Sequence, residues 1–286
     1  MGTNKPLPIS VLGRSFGCVT IGRMARLVAV LALLLALPGA VRAADDRSPL
    51  ARARQLYNMR DFDAAIAAAE EARKAPERAD GADLIAARAL LERFRASAAP
   101  DDLEQARQRL RRIAPERLAD RERLEYVIGL GEALYLDQAP GAAAAIFDSV
   151  LASDALLLDG RDLVLDWWAS AVEEDARPRT EFERQALYLT LRNRMREELA
   201  RRPASATAAY WAIASARGQG DLQGAWDAAQ AGWVRAPLAP DHGAALRGDI
   251  DRLVQRAIIP ERARAIGQPA ETIREDWEAF KEKWNR

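Results

Sequence analysis

Side chains suited to catalysis or metal binding are scarce in this sequence. The chain has one histidine, His242, and one cysteine, Cys18. A serine hydrolase would need His242 as its base, but residues 44–286 contain no Gly-x-Ser-x-Gly turn to hold the nucleophile. Zinc sites usually combine several Cys and His ligands, which these two residues cannot provide. The sequence therefore predicts no enzymatic activity, no metal site and no cofactor.

Neighbouring carboxylates are the other candidates for acid–base chemistry. They occur at Asp45-Asp46, Asp101-Asp102 and Glu173–Asp175. All three groups fall at predicted helix ends, where acidic side chains favour the helix dipole or face water. The chain also has no Asp-rich calcium loop and no phosphate-binding glycine loop. We interpret these carboxylates as helix-end and surface residues.

Charge restricts the class of partner. The chain has 42 basic and 42 acidic residues, but residues 1–43 carry five basic side chains and no acidic one. The remaining 37 basic and 42 acidic residues give residues 44–286 a net charge of −5. A mildly acidic body with interleaved signs does not predict nucleic-acid binding. The arginine-rich stretch 107–123 is interpreted as a solvated helix face, with an RNA-binding patch as the alternative.

Residues 1–43 have the pattern of a secretory signal peptide. After Met24, an alternative start of the chain, a short basic head precedes an apolar run over residues 27–37. A Pro-Gly pair and small residues follow, which predicts cleavage after Ala43. The apolar run is shorter than the roughly 20 residues that cross a bilayer. We expect export with cleavage and no remaining transmembrane segment; an uncleaved anchor is the alternative.

The composition predicts an all-α protein containing internal repeats. The chain is 49% hydrophobic and 6% aromatic, and its apolar residues are mainly alanine and leucine, which favour helices. One pattern recurs: a helix, a short turn, and a second helix with small residues at fixed offsets. The clearest copy spans residues 126–153. Further copies span 54–77 and 210–240, and a weaker copy spans 84–115.

This pattern resembles the tetratricopeptide repeat, a 34-residue pair of antiparallel helices. The resemblance is carried by Leu130-Gly131 and Leu134 in the first helix, and by Ala143 and Phe147 in the second. Small residues at Gly131 and Ala143 allow close approach of the helices, and this distance sets the curvature of the stack. The resemblance implies an all-α, right-handed superhelical solenoid of antiparallel helix pairs, extending over residues 44–239.

Residues 160–201 depart from the pattern but still predict a helix pair. The first helix places Leu163, Trp167 and Ala171 on one side. The second is long, and Thr180 with Glu183 is predicted to form its capping box.

Residues 240–286 are predicted to form a C-terminal helical pair that caps the solenoid. An apolar stripe from Ile250 to Ile258 predicts a helix that ends before Pro260. The last helix carries Ile273, Trp277, Phe280 and Trp284 on one side. We favour a cap over a membrane-surface helix because the polar face mixes Glu and Lys.

In the tetratricopeptide family, the first helix of each pair lines an inner groove that binds peptides. The paired Lys and Asn with which some members clamp a C-terminal carboxylate are not matched here. Tyr57, Tyr135 and Trp211 are expected to be half-exposed groove residues. All seven tryptophans follow residue 166, so packing in the later core is an alternative use for them. The groove residues implied by the resemblance are Arg54, Tyr57, Asn58, Arg95, Glu132, Tyr135, Tyr210, Trp211 and Arg217.

The sequence thus predicts an exported, non-catalytic scaffold or adaptor that binds a protein or peptide. The signal peptide and the Ala- and Arg-rich composition favour a bacterial envelope, with a periplasmic or secreted location. The alternative is a cell-wall or glycan-binding accessory of an envelope enzyme.

Overall fold

The all-helical prediction is confirmed within the part of the chain that the structure describes. The computed structural model describes residues 48–153 and 158–284, where it contains helices and no strand. The predicted leader, its cleavage site and Asp45-Asp46 lie outside the described residues. The described residues belong to the unit Gly39–Arg286.

Twelve helices are described. They are α1 (Pro49–Asn58), α2 (Phe62–Arg73), α3 (Ala79–Ser97), α4 (Pro100–Arg112), α5 (Asp120–Leu136), α6 (Pro140–Leu151), α7 (Leu158–Ala176), α8 (Glu181–Arg201), α9 (Ala206–Gly218), α10 (Leu222–Arg235), α11 (Ala244–Leu253, the π-helical Val254–Ile258, and Ile259–Ile266) and α12 (Ala270–Trp284).

Three of the turns between paired helices have the same geometry. The turns α1–α2, α5–α6 and α9–α10 each have three residues, and the middle one, Arg60, Gln138 or Gly220, has a positive φ. In each turn the third residue donates its backbone N–H to a carbonyl five residues earlier, as Asp61 does to Leu56 at 3.0 Å. Such bonds satisfy carbonyls left open at a helix C-terminus. The three clear sequence copies therefore share one backbone turn.

The second helices also share a register. Ala65, Ala143 and Ala225 each lie four residues after the helix N-cap, and each is fully buried. The N-caps Ala139, Thr180 and Asp221 follow one another at intervals of 41 residues. This interval exceeds the 34 residues of the tetratricopeptide pattern, because helices such as α7 and α8 are long, at 19 and 21 residues.

Gly131 is small because two helices touch there. A β-carbon built on Gly131 would lie 2.6 Å from Cε1 of Phe147, which is fully buried on α6. Such a contact is too short for any real side chain, so the predicted close approach of α5 and α6 is confirmed.

The helices are arranged so that one layer contains every odd-numbered helix up to α11. Each helix packs against the next along the chain, and the odd-numbered helices also contact one another in the order α1, α3, α5, α7, α9, α11. We call this arrangement the odd-helix layer. Four apolar clusters follow it along the chain, from Ala53 and Ala69 at the first helices to Ile250 and Trp277 at the last.

Two local predictions were wrong and one is confirmed. Leu163 is 45% exposed, so it does not share the buried side of α7 with Trp167 and Ala171. α11 continues through Pro260, because its preceding turn is π-helical and adjusts the backbone where proline removes an N–H donor. The capping box of Thr180 and Glu183 is present at the start of α8.

Candidate functional site

The odd-helix layer brings six polar side chains together near the N-terminal end of the described chain. They come from α1, α3 and α5, and their charges or hydroxyl groups interact with one another. We call this group the charged cluster. Its members are Tyr57, Arg88, Glu92, Arg95, Glu125 and Glu132.

Arg88 joins the first three odd-numbered helices. Its guanidinium lies 4.7 Å from the centre of the Tyr57 ring, and its Nη1 donates to Glu125 Oε2 at 2.7 Å. A cation over an aromatic face is attracted by the ring quadrupole. Burial raises the pKa of Tyr57 to about 12, although Arg88 acts in the opposite direction. Tyr57 therefore stays a neutral phenol throughout the physiological range.

Arg95 extends the cluster toward α7. Its Nη1 donates to Glu92 Oε1 at 2.8 Å, and its guanidinium lies 4.8 Å from the centre of the Trp167 ring. The ring of Tyr135 meets the same indole edge-on, with the ring centres 5.2 Å apart. The guanidinium, the buried indole and the phenol thus form one continuous set of contacts across α3, α5 and α7.

Glu132 differs from the other charged members of the cluster. It is only 9% exposed, and its carboxylate takes no part in the ion pairs that join Arg88 to Glu125 and Arg95 to Glu92. Burial raises its pKa to about 7, despite the opposing effect of Arg88 and Arg95. Desolvation of the ionised form therefore outweighs the attraction of the nearby guanidiniums.

The later odd-numbered helices carry a second polar group. Trp211 Nε1 donates to Asp166 Oδ1 at 2.7 Å, and Tyr210 meets the Trp211 ring edge-on. Arg217 holds Glu261 of α11 through its Nε and Nη2, with a shortest distance of 2.6 Å. On α7, burial raises the pKa of Glu173 above its usual range. Polar side chains thus continue along the layer from α7 to α11.

The nine predicted groove residues fall into three groups. Tyr57, Arg95, Glu132 and Tyr135 belong to the charged cluster or contact it through Trp167. Tyr210, Trp211 and Arg217 lie in the later polar group. Arg54 on α1 forms an ion pair with Glu122 outside the charged cluster, and Asn58 is exposed at the end of α1.

Trp211 corrects the expectation of a half-exposed groove aromatic. It is 6% exposed and packs in the same apolar core as Phe147 and Trp167. Its N–H is satisfied internally by Asp166, which allows the indole to be buried. Six of the seven tryptophans are buried and only Trp284 is exposed, so core packing accounts for most of them.

Sequence reasoning missed Arg88 and Glu261, which belong to these two groups, and the contact of Trp167 with Arg95. Arg88, Glu92 and Arg95 follow one another at i, i+4 and i+7, which places them on one helix face. This spacing could have identified Arg88 from the sequence as a neighbour of Glu92 and Arg95. The partners of Trp167 and Glu261 come from other helices, so no local spacing identifies them.

The residues considered for chemistry are dispersed. His242 is exposed in the turn before α11 with a positive φ of 53°, and Asp241 accepts the backbone N–H groups of Gly243 and Ala245. Asp102 is engaged by Arg93 at 2.8 Å. Within residues 48–153 and 158–284, no cluster of three His, Cys, Asp or Glu side chains has an arrangement suited to a metal ion.

A shallow apolar groove of about 590 Å³ lies between α10 and α12. Its lining includes Val234, Leu238, Phe280 and Trp284, together with Gln230 and Arg235.

Among the helices described, none combines the length and apolar character needed to cross a bilayer.

Comparison with known proteins gives no relative for this chain: no family model, no curated protein and no solved structure matches it.

Proposed function

We propose that this protein is an exported, non-catalytic scaffold that binds a segment of a partner protein along its odd-helix layer. The observation that carries this proposal is the charged cluster, in which Arg88 and Arg95 are held over the rings of Tyr57 and Trp167. Aromatic and arginine side chains are the residues that most often dominate the energy of protein interfaces. Here they are arranged on a row of packed helices.

The proposed architecture is a right-handed superhelical solenoid of the tetratricopeptide-like kind with a period near 40 residues. Three identical helix-pair turns and the shared register of Ala65, Ala143 and Ala225 support a repeated unit. In such arrays each repeat buries its apolar surface against its neighbours, and the row of first helices forms an extended binding surface. The contacts between successive odd-numbered helices are those expected of that row.

Residues 240–286 are proposed to cap this array. The buried indole of Trp277 on α12 packs against Trp226 and Trp233 of α10, with ring centres 5.6 and 5.7 Å away. The exposed face of α12 carries charged side chains such as Glu271 and Arg274. A terminal repeat needs an outer polar face of this kind to remain soluble.

Export is proposed from the pattern of residues 1–43, with a periplasmic or secreted location. Protein sequencing of the exported chain should find a new N-terminus at Ala44 or within about two residues of it. Recovery of residues 26–43 on a membrane-bound chain would instead support an uncleaved anchor.

Site-specific photocrosslinking in cells of the native host tests the binding function. A photoreactive phenylalanine at Asn58, exposed on α1, should capture a discrete polypeptide. The matched control is the same amino acid at Ala145, which is exposed on the even-numbered helix α6. Equal capture at both positions would contradict the proposed surface. An adduct removed by glycan hydrolases but not by proteases would support the cell-wall accessory instead.

A further inference from the structure

The charged cluster contains a carboxylate, that of Glu132, which takes part in none of its ion pairs. Arg88 pairs with Glu125 at 2.7 Å, and Arg95 pairs with Glu92 at 2.8 Å. These two pairs leave Glu132 as a third carboxylate. Arg121 of α5 also reaches Glu125, at 3.3 Å. Glu132 is therefore the carboxylate of the cluster that lies outside these ion pairs, and it is the most buried of the three.

Neither guanidinium is free to compensate Glu132. Each one is held by its own carboxylate partner and also lies on an aromatic face, Arg88 on Tyr57 and Arg95 on Trp167. Turning either group toward Glu132 would break a charge-assisted hydrogen bond and a cation–π contact. The geometry therefore keeps the Glu132 carboxylate without a partner among the described residues.

An unpaired buried carboxylate is costly, because the ionised form loses its hydration without gaining a counter-charge. Burial raises the pKa of Glu132 to about 7, and the charged groups that face it are Arg88, Glu92 and Arg95 of α3. The phenol of Tyr57 on α1 is the remaining titratable neighbour. A cation in direct contact with the Glu132 carboxylate would supply the counter-charge that its neighbours give to the other carboxylates.

We infer that Glu132 receives a cationic side chain, the ammonium of lysine or the guanidinium of arginine, from a peptide that crosses α3, α5 and α7. The inference rests on the proposed peptide-binding function and specifies the chemistry of the partner. Tyr135 follows Glu132 by three residues on α5, which places both on one side of the helix, and its half-buried ring could cover the apolar stem of the cation. A bound cation would give Glu132 the ion pair that Glu92 and Glu125 already have.

Selection from a random dodecapeptide display library tests this inference. The library is panned on the chain from Ala44 to Arg286 and on its Glu132→Gln variant, which keeps the size of the side chain. The control is Glu122→Gln on the same helix, whose carboxylate pairs with Arg54 outside the cluster. Far-UV circular dichroism and thermal melts establish that all three proteins are folded.

Peptides enriched on the unmodified chain and on Glu122→Gln should share a Lys or Arg at one aligned position. They should bind Glu132→Gln at least about tenfold more weakly, equivalent to about 1.4 kcal/mol. Enriched peptides with no cationic preference, or with equal affinity for Glu132→Gln, would overturn the inference while leaving peptide binding intact. Absence of any enriched peptide would reject the peptide-binding function and this inference with it.

A carbon-13 NMR titration of the Glu132 carboxyl gives a second readout. In the free protein the carboxyl should titrate near pH 7, and addition of a selected peptide should move its pKa downward. A peptide in which the aligned Lys is replaced by norleucine should produce no such shift. An unchanged pKa with the Lys peptide would place the cation elsewhere and reject the assignment to Glu132.

Discussion

The two ends of the helical array are held together by different interactions. From α1 to α5 the buried residues are mainly alanine and leucine, without a tryptophan, and arginine–carboxylate pairs connect successive helices. From α9 to α12 the core is built around Trp226, Trp233 and Trp277. We call these the N-terminal and C-terminal regions. Small side chains bring helices close, whereas indoles fill a wider space between them.

This difference affects which region is suited to binding. In the N-terminal region the aromatic faces of the odd-helix layer carry guanidiniums that remain partly exposed, such as Arg88. In the C-terminal region Arg247 and Arg262 also lie over aromatic rings, but the indoles beneath them, Trp233 and Trp226, are buried in the core. The comparison predicts that core substitutions reduce stability most in the C-terminal region, whereas pH has its strongest local effect in the N-terminal region.

The largest expected effect is that of Trp277→Ala. Its indole is fully buried among Trp226, Trp233 and Phe280, so its removal leaves a large cavity. We expect a loss of about 3–5 kcal/mol in the free energy of unfolding, measured by denaturant titration. Trp284→Ala, on the same helix but 46% exposed, should cost much less. Equal losses would contradict a tryptophan-centred core.

The second prediction concerns pH and Glu132. Because burial raises its folded pKa to about 7 from the ordinary value of 4.5, the folded chain binds this proton more tightly than the unfolded chain. The contribution of Glu132 is therefore fully present below about pH 4.5 and is lost as the pH rises through about 7. The size of this loss is on the order of 3 kcal/mol.

Glu132→Gln should remove this component of the pH dependence. Above pH 7 the variant should gain stability relative to the unmodified chain, and below about pH 4.5 that difference should be smallest. Denaturant titrations at several pH values measure the difference. A constant offset between the two proteins at all pH values would contradict a raised pKa for Glu132.

Double-mutant cycles sharpen the comparison of ion pairs. Arg109 and Asp83 in the N-terminal region form a mostly buried pair at 2.9 Å, with side chains 12% and 4% exposed. Their coupling should be about 1.5–3 kcal/mol. The more exposed pair of Arg217 and Glu261 in the C-terminal region should give about 0.2–1 kcal/mol. Denaturant titrations of the single and double alanine variants measure both coupling energies. A larger coupling for Arg217 and Glu261 than for Arg109 and Asp83 would contradict the proposed difference between the two regions.

The smallest expected effect is that of Gly131→Ala, on the last helix of the N-terminal region. The added methyl group meets the buried ring of Phe147, so overpacking should cost about 1 kcal/mol or more despite the better helix propensity of alanine. Gly248→Ala on α11 meets no atom within 4 Å, and should instead stabilise by about 0.5–1 kcal/mol. Thermal melts of the two variants should therefore shift in opposite directions. A shift in the same direction would contradict the close approach of α5 and α6.

Features determined by local sequence were predictable. The turn at Gly220-Asp221, the buried alanines of α2 and the small residue at Gly131 follow from spacing along a single helix or turn. The passage of α11 through Pro260 was missed because a π-helical turn has no clear sequence signature. Local patterns thus identified most helices but not this irregularity.

The candidate site was predictable only in part. Tyr57, Arg95, Glu132 and Tyr135 were identified because the repeat pattern places them on first helices. Their contacts depend on distances between helices that are far apart in sequence, such as the approach of Arg95 to Trp167. The burial of Trp211 was missed for the same reason, since Asp166 satisfies its N–H from another helix.

The central claim is that the odd-helix layer binds a peptide in the N-terminal region. Amide chemical-shift mapping with a display-selected peptide tests it most directly. We predict that the perturbed residues cluster around Arg88 on α3 and around Glu132 and Tyr135 on α5. Perturbations confined to the apolar groove at Leu238 and Trp284, or to the even-numbered helices, would contradict it.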